Sequence, residues 1–359
     1  MEKMKAHIGN LILIIFPLGA CFCLFSKSQV CASGIKEGML LCVDSVIPTL
    51  FPFMIISQFI VKSGICDLFG KIFGKITVKL FRLPPVASSV ILMSLIGGYP
   101  IGAKMTYELL CEGKISQKAA QKLDLFCINA GPAFIISTVG TMLLGNTRAG
   151  VILYCSVALS SVIIGILTRF IDAEKAYEYK KESPVILKNP IEAFSFSVTD
   201  SVKAMISVCS WIVIFNCLIK YICSFSLNGY TVALSSILEV TSGIKMSLNL
   251  LPVPAFAAII SFGGLSVHCQ IYSYVARTGL SAKLFYTARV LCSAVSALVC
   301  SLILKFVPCE IEVFANTSTP SFEAYSVSLP TACALLLMCS VLIFELDNER
   351  KSKREIRKR

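Results

Sequence analysis

The chain has 359 residues; 56% are hydrophobic, 15% are charged, and mean hydropathy is +0.79. Soluble domains carry roughly 45–50% apolar and about 25% charged residues, so a soluble enzyme, a disordered regulator and a fibrous protein are excluded and an all-α polytopic membrane protein is expected. The net charge of +12 arises from Lys and Arg flanking apolar runs, the arrangement that sets membrane orientation, and no nucleic-acid partner is expected.

In chain order, residues 8–25 form an apolar run of 18 residues behind Lys3 and Lys5. It exceeds the roughly 7–15 residues of a signal-peptide core and reads as an uncleaved first span. A second span covers 38–60 and holds Asp44, Pro48 and Pro52. Residues 62–82 place Lys71, Lys75 and Lys79 at four-residue spacing among Phe69, Ile72, Phe73 and Ile76, the pattern of an amphipathic helix in the interface. The apolar stretch 86–96 runs into Gly97-Gly98-Tyr99-Pro100, which breaks a helix at that depth. Spans follow at 123–144 and 149–169, then a charged loop at 172–189. The second half offers apolar segments at 202–223, 230–250, 253–262, 285–307 and 329–346, and a tail, 350–359, with seven basic residues and one Glu. Seventeen cysteines contain no CxxC, and the only histidines are His7 and His268. No metal and no cofactor are expected, and most cysteines read as small hydrophobes within spans.

An internal repeat is read at an offset of 166 residues: Gly97-Gly98 aligns with Gly263-Gly264, Lys104 with Gln270 and Gly113 with Gly279. This divides the chain into an anchor (1–33), a first repeat (34–170), a charged inner loop (171–193), a second repeat (194–307), and a polar loop, last helix and basic tail (308–359). The expected architecture is about 8 transmembrane helices plus two broken, re-entrant hairpins in two repeated halves. With both glycine pairs as hairpin tips, 230–250 as a true span and an inner N-terminus, 28 of the 33 Lys and Arg lie inside. If 230–250 does not cross, the halves become inverted but the basic tail falls outside. Orientation follows the tail, and inverted against parallel repeats stays open.

The first interruption nearly matches a phosphate-binding loop, but Ala103 stands where that pattern needs Lys. Broken backbone at membrane depth is tolerated only where it lines a cavity or is buried in protein. Freed N–H groups at the half-helix start suit an anion, with Lys104 one turn on, so Gly97, Gly98, Tyr99, Pro100, Gly102 and Lys104 are the substrate-binding candidates here; the bland alternative is a packing kink with an interfacial Lys. Asn129 and Pro132, in Asn129-Ala130-Gly131-Pro132, free a carbonyl beside a polar side chain, or else Asn129 bonds a neighbouring helix. Glu239 is an intramembrane acid that would take a proton or a coupling cation, or else form a salt bridge; Asp44 is a weaker case nearer a span end. The second interruption adds Gly263, Gly264, Ser266, His268 and Gln270, with His268 a proton shuttle or a packed core side chain. No catalytic motif is visible, and no enzyme is expected.

Gly98-Tyr99-Pro100-Ile101-Gly102-Ala103-Lys104, Asn129-Ala130-Gly131-Pro132, Leu238-Glu239-Val240-Thr241-Ser242-Gly243 and Gly263-Gly264-Leu265-Ser266-Val267-His268 occur in that order. Together they resemble the sporulation integral membrane protein family of the YlbJ type, which carries two nucleoside-recognition (Gate) segments. The resemblance covers roughly residues 34–307; the asparagine motif departs from it, since the family more often shows two Asn and a Ser before the Pro. It implies a fold similar to concentrative nucleoside transporters, a role in endospore formation and, through its members, movement of dipicolinic acid from the mother cell across the outer forespore membrane. The partners expected are that small organic anion and the lipid bilayer, with a homo-oligomer left open. A non-transporting spore-envelope assembly or maturation factor and a nucleoside transporter are the alternatives.

Overall fold

The structure is a computed structural model that describes residues 17–19, 21–170, 189–225, 230–248 and 250–308. All regular structure among them is helical. Of the first apolar run, residues 17–19 and 21–25 are described and are helical. The last apolar run 329–346, the tail 350–359, His7 and nearly all of the loop 172–189 lie outside the described residues.

Among the described residues, five helices are long and apolar enough to cross a membrane. They are α1 (Ser28–Lys62, with a wider π turn at Cys42–Val46), Thr147–Thr168, Pro190–Cys223, Val253–Thr278 and Ala282–Phe306. In chain order, α2 (Ile65–Phe81) and α3 (Ala87–Gly97) follow α1. Next come α4 (Tyr99–Cys111), α5 (Gln117–Phe126), the π-wound α6 (Ala133–Leu143) and α7 (Thr147–Thr168). The second half holds α8 (Pro190–Cys223), α9 (Thr231–Leu238), α10 (Val240–Ser247), α11 (Val253–Phe262), α12 (Gly264–Val275) and α13 (Ala282–Phe306). Lys71, Lys75 and Lys79 on α2 are exposed together with Ile72 and Ile76, as an interfacial helix requires.

α1 and α8 pack against each other in opposite directions. Gly34 faces Cys217, Gly38 faces Val213, and Lys62 at the far end reaches Asp200. A Cβ at Gly34 would stand 2.8 Å from the Cys217 Cα, so this glycine pair at four-residue spacing brings the backbones together where no hydrophobic effect drives association. Glu37 and Lys220, 2.8 Å apart, fix the register.

Two segments fold back on themselves. In the first, Ser94 of α3 lies against Gly102 of α4, with Gly98 at the tip. In the second, Ser236 of α9 lies against Gly243 of α10, with Glu239 at the tip. Two other segments are broken but keep their direction. α7 runs antiparallel along both α5 and α6: Ser161 donates to the Phe126 carbonyl at 2.7 Å, and Gly150 packs on Gly140. Likewise α13 runs antiparallel along α11 and α12: Ser293 donates to the Ala258 carbonyl at 2.9 Å, and the Phe285 ring lies 5.3 Å from His268. Because α5 runs alongside α13 in the same sense (Gln117 at Thr278, Leu125 at Arg289), α7 and α13 oppose one another, as do the two broken helices.

This arrangement bears on one open question and corrects one expectation. Residues 230–250 are not a span: α9 and α10 have 8 residues each, about 12 Å of helix against a core of about 30 Å. The glycine pair Gly263-Gly264 is not a hairpin tip but a break within the crossing segment Val253–Thr278. What folds a helix back is a non-helical residue at the turn with a large positive ψ, Gly98 (φ 96°, ψ 179°) and the extended Glu239 (φ −147°, ψ 127°). Gly263 and Gly264 are both left-handed, which interrupts the helix without reversing it. An alignment of glycine pairs therefore matched a tip with a break.

Candidate functional site

The hairpin tips and the breaks meet in the core. The first tip rests on the first break, where a Cβ at Gly131 would lie 2.9 Å from the Ile96 carbonyl oxygen and 3.1 Å from the Gly98 nitrogen. The second tip rests on the second break, with Gly264 against Leu238, Glu239 and Val240. Tyr99 joins the two pairs: its hydroxyl donates to the Ile260 carbonyl at 2.6 Å, and its ring lies against Gly263. Of the sequence candidates, Gly97, Gly98, Tyr99, Glu239, Gly263 and Gly264 thus gather in one place, with Pro100 and Pro132 next to them in the chain, and the structure adds Gly131.

Each break exposes carbonyls that must find donors. At the second break, Tyr99 serves Ile260 and the His268 Nε2 lies 2.9 Å from the Phe262 carbonyl. A carbonyl only accepts, so Nε2 carries the proton; Nδ1 is buried with no partner. The His268 ring sits edge-on to Phe262, Phe285 and Tyr286, and lines a cavity of about 200 Å³ between α12 and α13 with Ile271, Tyr272 and Val275. At the first break, Asn129 Nδ2 donates to the Phe126 carbonyl and to the Ser161 hydroxyl, both at 2.9 Å. Asn129 therefore stitches the break to α7.

Glu239 is 3% exposed, and its carboxylate caps α10: Oε1 accepts from the Thr241 N–H at 3.1 Å and Oε2 from the Ser242 N–H at 2.7 Å. Lys104 lies away from the tips. It pairs with Glu108 at 4.0 Å and donates to the Asp200 carbonyl at 3.4 Å, while Lys62 bridges to the Asp200 carboxylate at 3.3 Å. This cluster ties α4 to α1 and α8. Ser266 and Gln270 are buried on α12, and the Ser266 hydroxyl has no partner. Asp44 lies exposed on the π turn of α1.

Sequence reading missed Arg289 and Asp124. Arg289, 1% exposed, donates through NH1 to the Ile128 carbonyl at 2.6 Å and through NH2 to the Leu125 carbonyl. Asp124, also 1% exposed, accepts from the Thr278 hydroxyl at 2.8 Å. The signal was available, since each is an ionisable residue amid apolar neighbours near the start of an expected span. All described cysteines are free.

The Tyr99 tie yields a first expectation. Tyr99→Phe leaves the Ile260 carbonyl buried without its donor, a loss of about 1–3 kcal/mol. A lower melting temperature of the purified protein in detergent checks it; an unchanged one removes Tyr99 as the link between the tips.

Residues 43–173 match the Gate family, described as nucleoside recognition. The chain is 24% identical over 342 residues to the sporulation integral membrane protein YlbJ of Bacillus subtilis (strain 168), covering 84% of each. No solved structure gives a significant match. The resemblance drawn from the motifs is thereby borne out, with one of the two implied Gate segments matched: this is an integral membrane protein in which residues 43–173 match a nucleoside-recognition model and which is similar along most of its length to a sporulation membrane protein.

Proposed function

We propose that the protein is a carrier, not an enzyme, that moves a small organic anion, dipicolinate, during spore formation. The observation that carries this reading is the meeting of two opposed hairpin tips with two helix breaks around buried polar groups, the arrangement in which transporters build a mid-membrane site. The two halves are inverted repeats, each a hairpin, a broken crossing helix and an outer helix. Three antiparallel pairs support this: α1 with α8, the two broken helices, and α7 with α13. The similarity to a sporulation membrane protein supports the setting, and the outer forespore membrane is the proposed location.

Exchanging the roles of 230–250 and 253–278 also removes the conflict over orientation. With the first and last apolar runs as spans, the chain crosses eight times and both termini stay inside. Only Lys27, Lys36, Arg148, Lys220, Lys245 and Lys305 then fall outside, leaving 27 of the 33 Lys and Arg on the inner side or in the core. Inverted halves and a basic inner tail are compatible.

Dipicolinate is a planar aromatic dianion that needs donors for two carboxylates and a slot for its ring. Backbone N–H groups of the first tip and the Tyr99 ring offer these, and Glu239 at the second tip is the proposed coupling group. Lys104, held by Glu108, acts as an inner gate charge and not as a free anchor. The test is dipicolinate uptake into vesicles by the purified protein. Wild type takes it up, and Lys104→Ala lowers the rate about tenfold at equal protein level, because Glu108 is left buried and unpaired. A wild type that moves no dipicolinate overturns the carrier reading in favour of an envelope assembly factor, and one that moves nucleosides instead corrects the substrate.

A further inference from the structure

The two breaks satisfy their freed carbonyls differently. The second uses neutral donors, Tyr99 and His268. The first uses neutral donors for the Phe126 carbonyl, Asn129 and Ser161, but adds a cation that comes from the other half of the chain: Arg289 of α13 reaches over to the Leu125 and Ile128 carbonyls at the C-terminal end of α5. The remaining contacts of the guanidinium are soft, with Cys292 Sγ 3.7 Å from NH2 and the Phe285 ring centroid 5.8 Å from Cζ. Its Nε is buried without a partner. Among the described residues no carboxylate forms a salt bridge with it, although Asp124, one residue before Leu125, has a buried Oδ1 equally without a partner.

A positive charge that deep needs compensation, and here the compensation comes from helix-end carbonyls, which carry the negative end of the α5 dipole. Unwound carbonyls at a half-helix C-terminus are also the groups that coordinate free monovalent cations in carriers. We propose that Arg289 is a tethered cation: its guanidinium takes, at the first break, the place that a free Na⁺ or K⁺ would need, so that anion movement requires no monovalent cation bound there. The statement about anion movement rests on the carrier reading; the occupancy of the break by a replaceable cation does not.

The experiment compares melting of the purified full-length protein in sodium, potassium, choline and millimolar guanidinium chlorides. Wild type is expected to melt at the same temperature in all four. Arg289→Ala is expected to melt about 10 °C lower in choline, and guanidinium or sodium is expected to restore at least half of that shift. An arginine that merely fills space gives the same loss with no restoration, and that result overturns the proposal, as does a salt response equal in wild type and variant. If Arg289→Ala gives no folded protein, Arg289→Lys carries the test. The ammonium keeps the charge without the fork, so it should melt between the other two and ignore sodium; a lysine variant that is unfolded as well overturns the proposal. Uptake measured alongside separates the two readings. Wild-type dipicolinate uptake that depends on sodium overturns the tethered cation, whereas no uptake in any salt, with the melting results intact, overturns only the carrier.

Discussion

Gly102→Ala is expected to leave little folded protein. Gly102 sits on α4 where the first hairpin presses on the first break, and a methyl group there would collide with the Cys127 carbonyl oxygen while standing 3.0 Å from the Ser94 Cβ. Neither neighbour can yield cheaply. Cys127 O is backbone, and Ser94 belongs to α3, which is itself buried. Relief requires α4 to move off the break, with the tip contacts at Gly98 and Gly131 and the Tyr99 bond to Ile260 following it. Overpacking of this kind costs about 3 kcal/mol or more. The yield of monodisperse protein and its melting temperature measure the effect. Gly113→Ala is the control: its surroundings are open and only its left-handed φ of 68° opposes a side chain, which costs roughly 1–2 kcal/mol. Equal behaviour of the two variants would show that the hairpin is not held at Gly102.

The second large effect is expected at Glu239. Removing its carboxylate in Glu239→Ala orphans the Thr241 and Ser242 N–H groups at a buried helix start, a loss of about 2–4 kcal/mol. The fold-back of α10 on α9 then loosens, and with it the surface on which Gly264 rests. Glu239→Gln separates the two roles of the side chain. Its amide keeps one acceptor and loses the charge, so melting should fall between wild type and Glu239→Ala. If Glu239 is the coupling group, dipicolinate uptake by Glu239→Gln should in addition lose its dependence on pH. Retained pH dependence with reduced stability would leave Glu239 as a cap alone.

Much of this site was legible in the sequence, and the limits are instructive. The tip Gly98-Tyr99-Pro100, the polar break at Asn129 and the acid at Glu239 were each visible because glycine, proline and ionisable residues are costly at membrane depth. Their local chemistry announces a break but not which way the chain leaves it. That depends on ψ at one residue and on what lies across from it, such as Gly243 admitting Ser236 or α13 lying along both α11 and α12. The lysine next to the first tip reads as an anchor because sequence shows a charge without its counter-charge; Glu108, one turn away, supplies it, and the Asp200 carbonyl on a distant helix accepts from the same ammonium. Arg289 was missed for the converse reason. Its partners are carbonyls, which every residue has and no sequence displays.

The elbow after α12 has a mechanical meaning. Thr278 is clasped there by three side chains of α5: Gln117 and Gln121 donate to its carbonyl at 3.1 Å, and its hydroxyl donates to Asp124. Gly264, at the other end of α12, rests on the backbone of the second tip, with the His268 bond to the Phe262 carbonyl one turn on. Since side-chain hydrogen bonds gather at the Thr278 end, a tilt of α12 would pivot there. Its arm is about 20 Å, so a tilt of about 10° swings Gly264 by roughly 3–4 Å. A displacement of that size would part Gly264 from Glu239 by about the thickness of a flat aromatic ring, while the Tyr99 bond to Ile260 on α11 and the clasp at Thr278 stay shut.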